Sequence, residues 1–162
     1  MEDQVRAAQG GDPFAMDALL TELAPWVGRL CSSIALDKGD DAMQETLISV
    51  LKNLPTLREP AAFHGWVRRI AVREALRAAT GDRAIAVAEV PEVAVVPDFE
   101  TAVDIRDTLT KLSPARRAVL VLRYLEDLSE HEVAELLGTP EGTVKSGLHR
   151  ARQSFRDQWR EA

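Results

Sequence analysis

The chain has one cysteine, Cys31, and one tyrosine in 162 residues, and aromatic residues make up only 5% of it. A lone cysteine excludes an internal disulfide and any zinc site built on several cysteines. No apolar run is long enough to span a bilayer, so no membrane insertion is expected. The start, Met1-Glu2-Asp3-Gln4, is acidic and lacks the apolar core of a signal peptide, which makes the cytoplasm the expected location. No glycine-rich phosphate loop occurs. His131-Glu132-Val133-Ala134-Glu135 begins like a zinc-protease helix but lacks its second histidine. His64, His131 and His149 fall on different predicted elements. No catalytic group, metal site or cofactor site is legible, and the chain is not expected to be an enzyme.

What is present is helical and charged. Hydrophobic residues make up 46% and charged residues 28%, a globular profile. The net charge of −6 is unevenly spread. Residues 1–80 carry nine basic and eleven acidic side chains, residues 81–110 two and seven, and residues 111–162 nine and eight. The excess acid therefore lies in the middle. Basic residues cluster late in each end: Arg68, Arg69, Arg73 and Arg77, then Lys145, Arg150, Arg152, Arg156 and Arg160. Such clusters suit phosphate contacts that weaken with salt.

The richest stretch runs from Thr139 to Arg152. Val144, Leu148 and Ala151 repeat at helical spacing and define an inner face. Thr143, Lys145, Ser146, His149, Arg150 and Arg152 are left outside, a face suited to the major groove. Ser129 with Glu132 forms a capping-box pattern before Val133, Ala134, Leu136 and Leu137. Gly138 can end that helix in a left-handed conformation. Thr139 can cap the next, with Pro140 at its first position. Two helices joined by a tight glycine turn, the second basic, define a helix-turn-helix. Lys145, Ser146, His149 and Arg150 are the candidate base-edge contacts, with Arg152 and Arg156 assigned to phosphate or solvent.

The first half also reads as helical. Asp12-Pro13 opens a helix toward Ile34 that Pro25 should bend or break. Asp37-Lys38-Gly39 is a turn. Asp40 opens a helix whose Met43, Leu47, Val50, Leu51 and Leu54 recur at helical spacing. The next helix spans about Ala61 to Ala79, with Phe63, Trp66, Val67 and Ile70 inward. Trp66, Arg69, Arg73 and Arg77 form a stripe on it, with Arg68 beside. Cations at this spacing can follow a nucleic-acid backbone, and aromatics beside them can stack bases. The alternative makes Phe63 and Trp66 core and the arginines a solvated face; for Trp66 the two readings are even. Asp40-Asp41-Ala42-Met43-Gln44-Glu45 is an acidic helix start. Acids favour a helix N-terminus, which accounts for Asp40. Gln44 and Glu45 are not needed for that and leave a surface for a basic partner.

Residues 81–97 read as a flexible acidic tether, in which Pro91 and Pro97 bracket a β-branched run, Val93 to Val96, whose alternative is a short strand with no obvious partner. A helix from about Phe99 to Leu112 follows, and Ser113-Pro114 starts another that carries Val119, Leu120, Leu122 and Tyr124. The expected fold is all-α: two small helical domains, 1–80 and 98–162, joined by that linker, with the helix-turn-helix in the second.

Taken together the halves resemble a bacterial sigma factor of the extracytoplasmic-function (ECF) type, which keeps only the family's regions two and four. Asp40-Asp41-Ala42-Met43-Gln44-Glu45-Thr46 is similar to the region-two signature that docks on the coiled coil of the polymerase β′ subunit. Phe63-His64-Gly65-Trp66-Val67-Arg68-Arg69-Ile70-Ala71 is similar to the segment that opens and reads the minus-ten element. Leu112-Ser113-Pro114-Ala115-Arg116-Arg117, with Gly142 through Arg152, resembles region four, which reads the minus-thirty-five element. The resemblance implies polymerase docking through Asp40, Asp41, Gln44 and Glu45. It implies minus-ten contacts through Phe63, His64, Trp66, Arg68, Arg69, Arg73 and Arg77, with a flipped base held near Phe63 and Trp66. It implies minus-thirty-five contacts through Thr143, Lys145, Ser146, His149, Arg150 and Arg152. The implied partners are core RNA polymerase (β′ and β), promoter DNA and an anti-sigma protein. The acidic tether would run through a polymerase channel until transcript arrives.

The chain departs from the family twice. Gly147 stands where an arginine is usual, removing one DNA contact. Arg77 is followed by Ala78-Ala79-Thr80 instead of a basic run. Two rivals remain: a one-component regulator that binds promoters without docking on polymerase, and a helical enzyme or adaptor that shares the fold. The first predicts no loss of function on reversing Asp41 and Glu45 to Lys; the second requires a pocket of convergent titratable groups.

Overall fold

The computed structural model describes residues 1–81 and 109–160; in the last helix, side chains are described through Arg150 and at Arg152 and Gln153. The tether at 82–97, most of the Phe99–Leu112 helix, and the side chains of Arg156, Trp159 and Arg160 lie outside the described residues. The chain divides into two units, Met1–Arg83 and Ala84–Ala162. Every regular element among the described residues is helical. No helix among them is long and apolar enough to cross a membrane.

The first unit contains α1 (Glu2–Gln9), α2 (Pro13–Ala35), α3 (Gly39–Asn53) and α4 (Phe63–Thr80). Asp12 caps α2 as its sequence suggests, accepting from the Phe14 and Ala15 amides at 2.9 and 3.2 Å. Pro25 does not end α2, which continues to Ala35. A proline removes one helical hydrogen bond. Here Thr21, whose carbonyl it orphans, is exposed to water. The buried stripe Leu19, Leu23, Val27, Leu30 and Ile34 holds the helix on both sides of the defect. The Asp37-Lys38-Gly39 turn is a single 3₁₀ turn, Leu36–Lys38.

Helices α2, α3 and α4 pack on one another pairwise, and α1 lies on α2. The buried face of α3 is Gly39, Ala42, Thr46 and Val50, continued by Leu54. The sequence stripe of Met43, Leu47 and Leu51 is therefore off the core axis. Small residues line the contact because α2 and α3 approach closely, and a Cβ on Gly28 would stand 3.0 Å from Met43 Sδ. Gln9 of α1 donates to the carbonyls of Leu54 and Leu57 at 3.1 and 2.7 Å, fixing the connector to α4.

The second unit contains α5 (Pro114–Tyr124), α6 (Glu130–Leu137) and α7 (Glu141–Arg160). Ser113 caps α5. Ser129 and Glu132 form the expected reciprocal box, at 3.2 Å from the Glu132 amide and 2.8 Å from the Ser129 amide. Gly138 closes α6 at φ 62°, in the left-handed region. Thr139 does not cap α7: its hydroxyl is buried with no hydrogen-bond partner. The Thr143 and Val144 amides instead donate to the Pro140 carbonyl, so Pro140 stands just before the helix. Val144 and Leu148 are buried, and α5 and α6 both pack on α7.

Candidate functional site

Three outward faces carry the chemistry. The first is on α3. With Gly39, Ala42, Thr46 and Val50 turned inward, Asp40, Asp41, Gln44 and Glu45 are all exposed. The face does not end in acids. Ile48 and Leu51 continue it toward the C-terminus and are 42% and 48% exposed. Sequence periodicity assigned Leu51 to the core and did not single out Ile48. The face thus sets an exposed apolar pair beside carboxylates, chemically complementary to apolar groups flanked by cations.

The second face is on α4, and the structure splits the candidates there. Phe63 is 1% exposed and belongs to the core. Buried to this degree, its side chain offers almost no surface to nucleic acid. Trp66 is half-buried, its ring centroid 6.2 Å from that of Phe63. Arg69, Arg73 and Arg77 continue from Trp66 and are exposed. Arg68 is not beside them. It and His64, one turn apart, turn to α2 and pack on Trp26: the His64 ring centroid lies 5.6 Å away and the Arg68 guanidinium 5.8 Å. Trp26 was missed by sequence reasoning, since a tryptophan in an apolar helix gives no sign of which side chains will cover it.

Arg73 and Arg77 share a carboxylate that the sequence reading also passed over. Glu74 is 8% exposed, within the buried set Val67, Ile70, Ala71 and Ala75. Arg73 donates to its Oε1 from Nε and Nη2 at 3.2 and 3.1 Å. Glu74 Oε2 has no aligned hydrogen bond, yet Arg77 Nη2 stands 2.7 Å from it. At that distance the guanidinium charge compensates the carboxylate without ideal geometry. Arg77 also lies 4.0 Å from Glu45 on α3.

The third face is on α7. Thr143, Lys145, Ser146, His149, Arg150 and Arg152 are all exposed, as the inner stripe requires. Lys145 is 3.3 Å from Glu141 and 4.0 Å from Glu130. His131 approaches Glu135 and Glu141 at 3.6 and 3.7 Å. These are open surface pairs of small energetic weight, which a phosphate can displace. Ser146 turns its hydroxyl to the Thr143 carbonyl at 3.0 Å. Arg152 reaches α5, donating to the Tyr124 hydroxyl and lying over its ring. Arg123 lies over the same ring. Tyr124 therefore sets where Arg152 points, a link that spans 28 residues and leaves no local trace.

An acidic–apolar face and an arginine stripe on one helical unit, with a basic helix-turn-helix on another, define a class of two-part transcription factor. The comparisons with known proteins agree. Residues 19–84 match the family Sigma-70 region 2, and residues 102–155 match Sigma-70, region 4. The chain is 32% identical to the ECF RNA polymerase sigma factor SigM of Mycobacterium tuberculosis, over 88% of this chain and 76% of that protein. It is 32% identical to the ECF RNA polymerase sigma factor SigE of Mycolicibacterium smegmatis, over 91% of this chain and 63% of that protein. It thus spans a little under two thirds of SigE. Among solved structures it is similar to CnrH in complex with the cytosolic domain of CnrY, with a TM-score of 0.67, 20% identity and coverage of 99% and 97% of the two chains. It is also similar to the sigma factor RpoE in complex with the anti-sigma factor NepR from Bartonella quintana, at a TM-score of 0.61 and 20% identity. These two likenesses concern the fold. The chain belongs to the ECF sigma factors.

Proposed function

We propose that the chain binds core RNA polymerase and directs promoter-specific initiation, working in the cytoplasm and carrying out no covalent chemistry itself. The α3 face of Asp40, Asp41, Gln44 and Glu45, extended by Ile48 and Leu51, is the docking surface for the β′ coiled coil. The α4 stripe from Trp66 through Arg69, Arg73 and Arg77 meets the melted minus-ten strand, with His64 and Arg68 at its flank on Trp26. The outer face of α7 reads the minus-thirty-five duplex through Thr143, Lys145, Ser146, His149, Arg150 and Arg152. An anti-sigma protein covers these docking faces when transcription is not required, in keeping with the relatives solved with such partners.

The observation that carries this reading is the α3 face. A regulator that acts without polymerase needs no row of exposed carboxylates running into exposed Ile48 and Leu51. The test is run-off transcription with core polymerase, with and without the chain. The wild type yields promoter-specific transcript. Reversal of Asp41 and Glu45 to Lys abolishes it while leaving the helical content intact. Full activity of that double variant would favour the stand-alone regulator.

A further inference from the structure

Glu74 is an acid within the inner face of α4, where an apolar residue of similar volume would stabilise the unit as well or better. A buried ion pair often contributes less than the packing that could replace it. Fold stability therefore leaves Glu74 unexplained. Simple attraction for nucleic acid also leaves it unexplained, because a carboxylate on a cationic stripe weakens that attraction. What the geometry shows is one carboxylate shared by two guanidinium groups. Its side chain is only 10% exposed, whereas those of Arg73 and Arg77 are 65% and 52% exposed. One buried carboxylate thus pairs with two exposed guanidinium groups, one helical turn apart. Each guanidinium carries five N–H donors. Arg73 gives Nε and Nη2 to Glu74, while Arg77 Nη2 is held beside it by charge at 2.7 Å without an aligned hydrogen bond, and stands 4.0 Å from Glu45. Both side chains keep donors beyond those that Glu74 takes.

We propose that Glu74 is a positioning residue for nucleic acid: its carboxylate aims the guanidinium groups of Arg73 and Arg77 together, so that their remaining donors meet successive phosphates of a single strand. This rests on the reading of α4 as the ledge for the melted strand. Holding two long side chains in place before binding removes the entropy they would otherwise lose when the strand arrives.

The test uses the full chain assembled with core polymerase and a short fluorescein-labelled single-stranded DNA of mixed sequence, titrated by anisotropy at several salt concentrations. Glu74→Gln keeps the shape and makes the ledge more positive, so charge alone would tighten binding. Positioning requires the opposite: binding weaker by roughly threefold or more. The salt dependence also becomes shallower, by about 0.7 in log–log slope for each phosphate that is no longer neutralised. A fold-only role would not move that slope. Glu74→Met, which leaves no unpaired polar group inside, gives the same result and guards against misfolding of the first variant; melting curves establish that each is folded. The paired substitution Arg73→Ala with Arg77→Ala sets the floor. If that pair weakens binding while both Glu74 variants bind as tightly as wild type or tighter, Glu74 has no positioning role and the ledge stands. If the arginine pair binds like wild type, the ledge itself falls, and this proposal with it.

Discussion

Gly39 and Ser32 bring the backbones of α3 and α2 into contact: a Cβ on Gly39 would stand 2.4 Å from Ser32 Cα and 2.8 Å from its amide nitrogen. Gly39 has ordinary helical angles, φ −62° and ψ −39°, so space and not backbone conformation demands glycine. Alanine in a helix is favoured over glycine by about 1 kcal/mol. The clash opposes this and wins, because it falls on backbone and no rotation relieves it. Gly39→Ala is expected to cost on the order of 1–3 kcal/mol, the range for overpacking. It should also displace Asp40 and Asp41 at the adjoining turn. Urea melts measure the first effect and polymerase binding the second. A variant as stable as wild type would mean that the two helices are not pressed together here.

Cys31 is closed to solvent, with Sγ 3.8 Å from the Ala71 carbonyl and 3.9 Å from Thr46 Oγ1. Burial raises its thiol, the Thr46 contact lowers it, and the Glu74 charge raises it, taking it from 9.0 to about 11. At pH 8 only ~0.1% of the folded thiol is then thiolate, the reactive form. Labelling by a thiol reagent should be slow and should proceed through opening of the unit. The same shift links stability to pH. The unfolded thiol loses its proton from about pH 9, while the folded one keeps it to about pH 11. The stabilisation is whole below pH 9 and lost as pH rises through that window. Melts of wild type and Cys31→Ala across pH 8–11 isolate the effect, and parallel pH profiles would refute it.

Arg117 is 5% exposed and donates from Nη1 to the carbonyls of Leu109 and Leu112 at 3.1 and 2.8 Å. Burial pulls its guanidinium below the ordinary arginine value. It ties the segment before α5 to the helix and is a structural residue, although it stands in the region-four motif next to Arg116. Arg117→Met leaves two carbonyls without their donor and should cost the second unit roughly 2 kcal/mol. Arg117→Lys should recover only part, because an ammonium cannot reproduce the fork. Urea unfolding followed by circular dichroism reads both, and no change in either variant would remove Arg117 from the structural frame.

The helix-turn-helix was legible because its signals are local. Ser129 with Glu132, Gly138, and Val144 with Leu148 act within one or two turns, and each stands where the pattern puts it. Of the α3 stripe, Val50 and Leu54 are core as expected, but the rest departs because periodicity favours large residues. Leu51 and Met43 fit an inward stripe, while the close α2 approach selects Gly39, Ala42 and Thr46. Pro25 does not break α2 because a proline's cost falls on one bond, and the leucine stripe on either side outweighs it. Trp66 and the arginines were found by spacing alone. The side chains they contact, Glu74 for Arg73 and Arg77, and Tyr124 for Arg152, were not. Glu74 could have been flagged as a lone charge in an apolar stripe; Tyr124 could not, since its partner lies 28 residues away.

Gly147 stands inside α7, two turns from its start, where a Cβ would meet nothing within 4 Å. No close packing requires glycine, so its cost to the helix is unrelieved. Gly147→Ala should stabilise the second unit by up to about 1 kcal/mol. Gly147→Arg should gain most of that and place a further cation on the helix that carries Lys145, His149 and Arg150. On duplex DNA, with the chain bound to polymerase, Gly147→Arg should bind tighter than Gly147→Ala, with a log–log salt slope steeper by about 0.9 for one further phosphate neutralised. The alanine variant separates helix stiffening from the added charge. If alanine accounts for the whole gain in affinity and the slopes coincide, residue 147 faces away from DNA, and the missing arginine does not limit this chain's promoter binding.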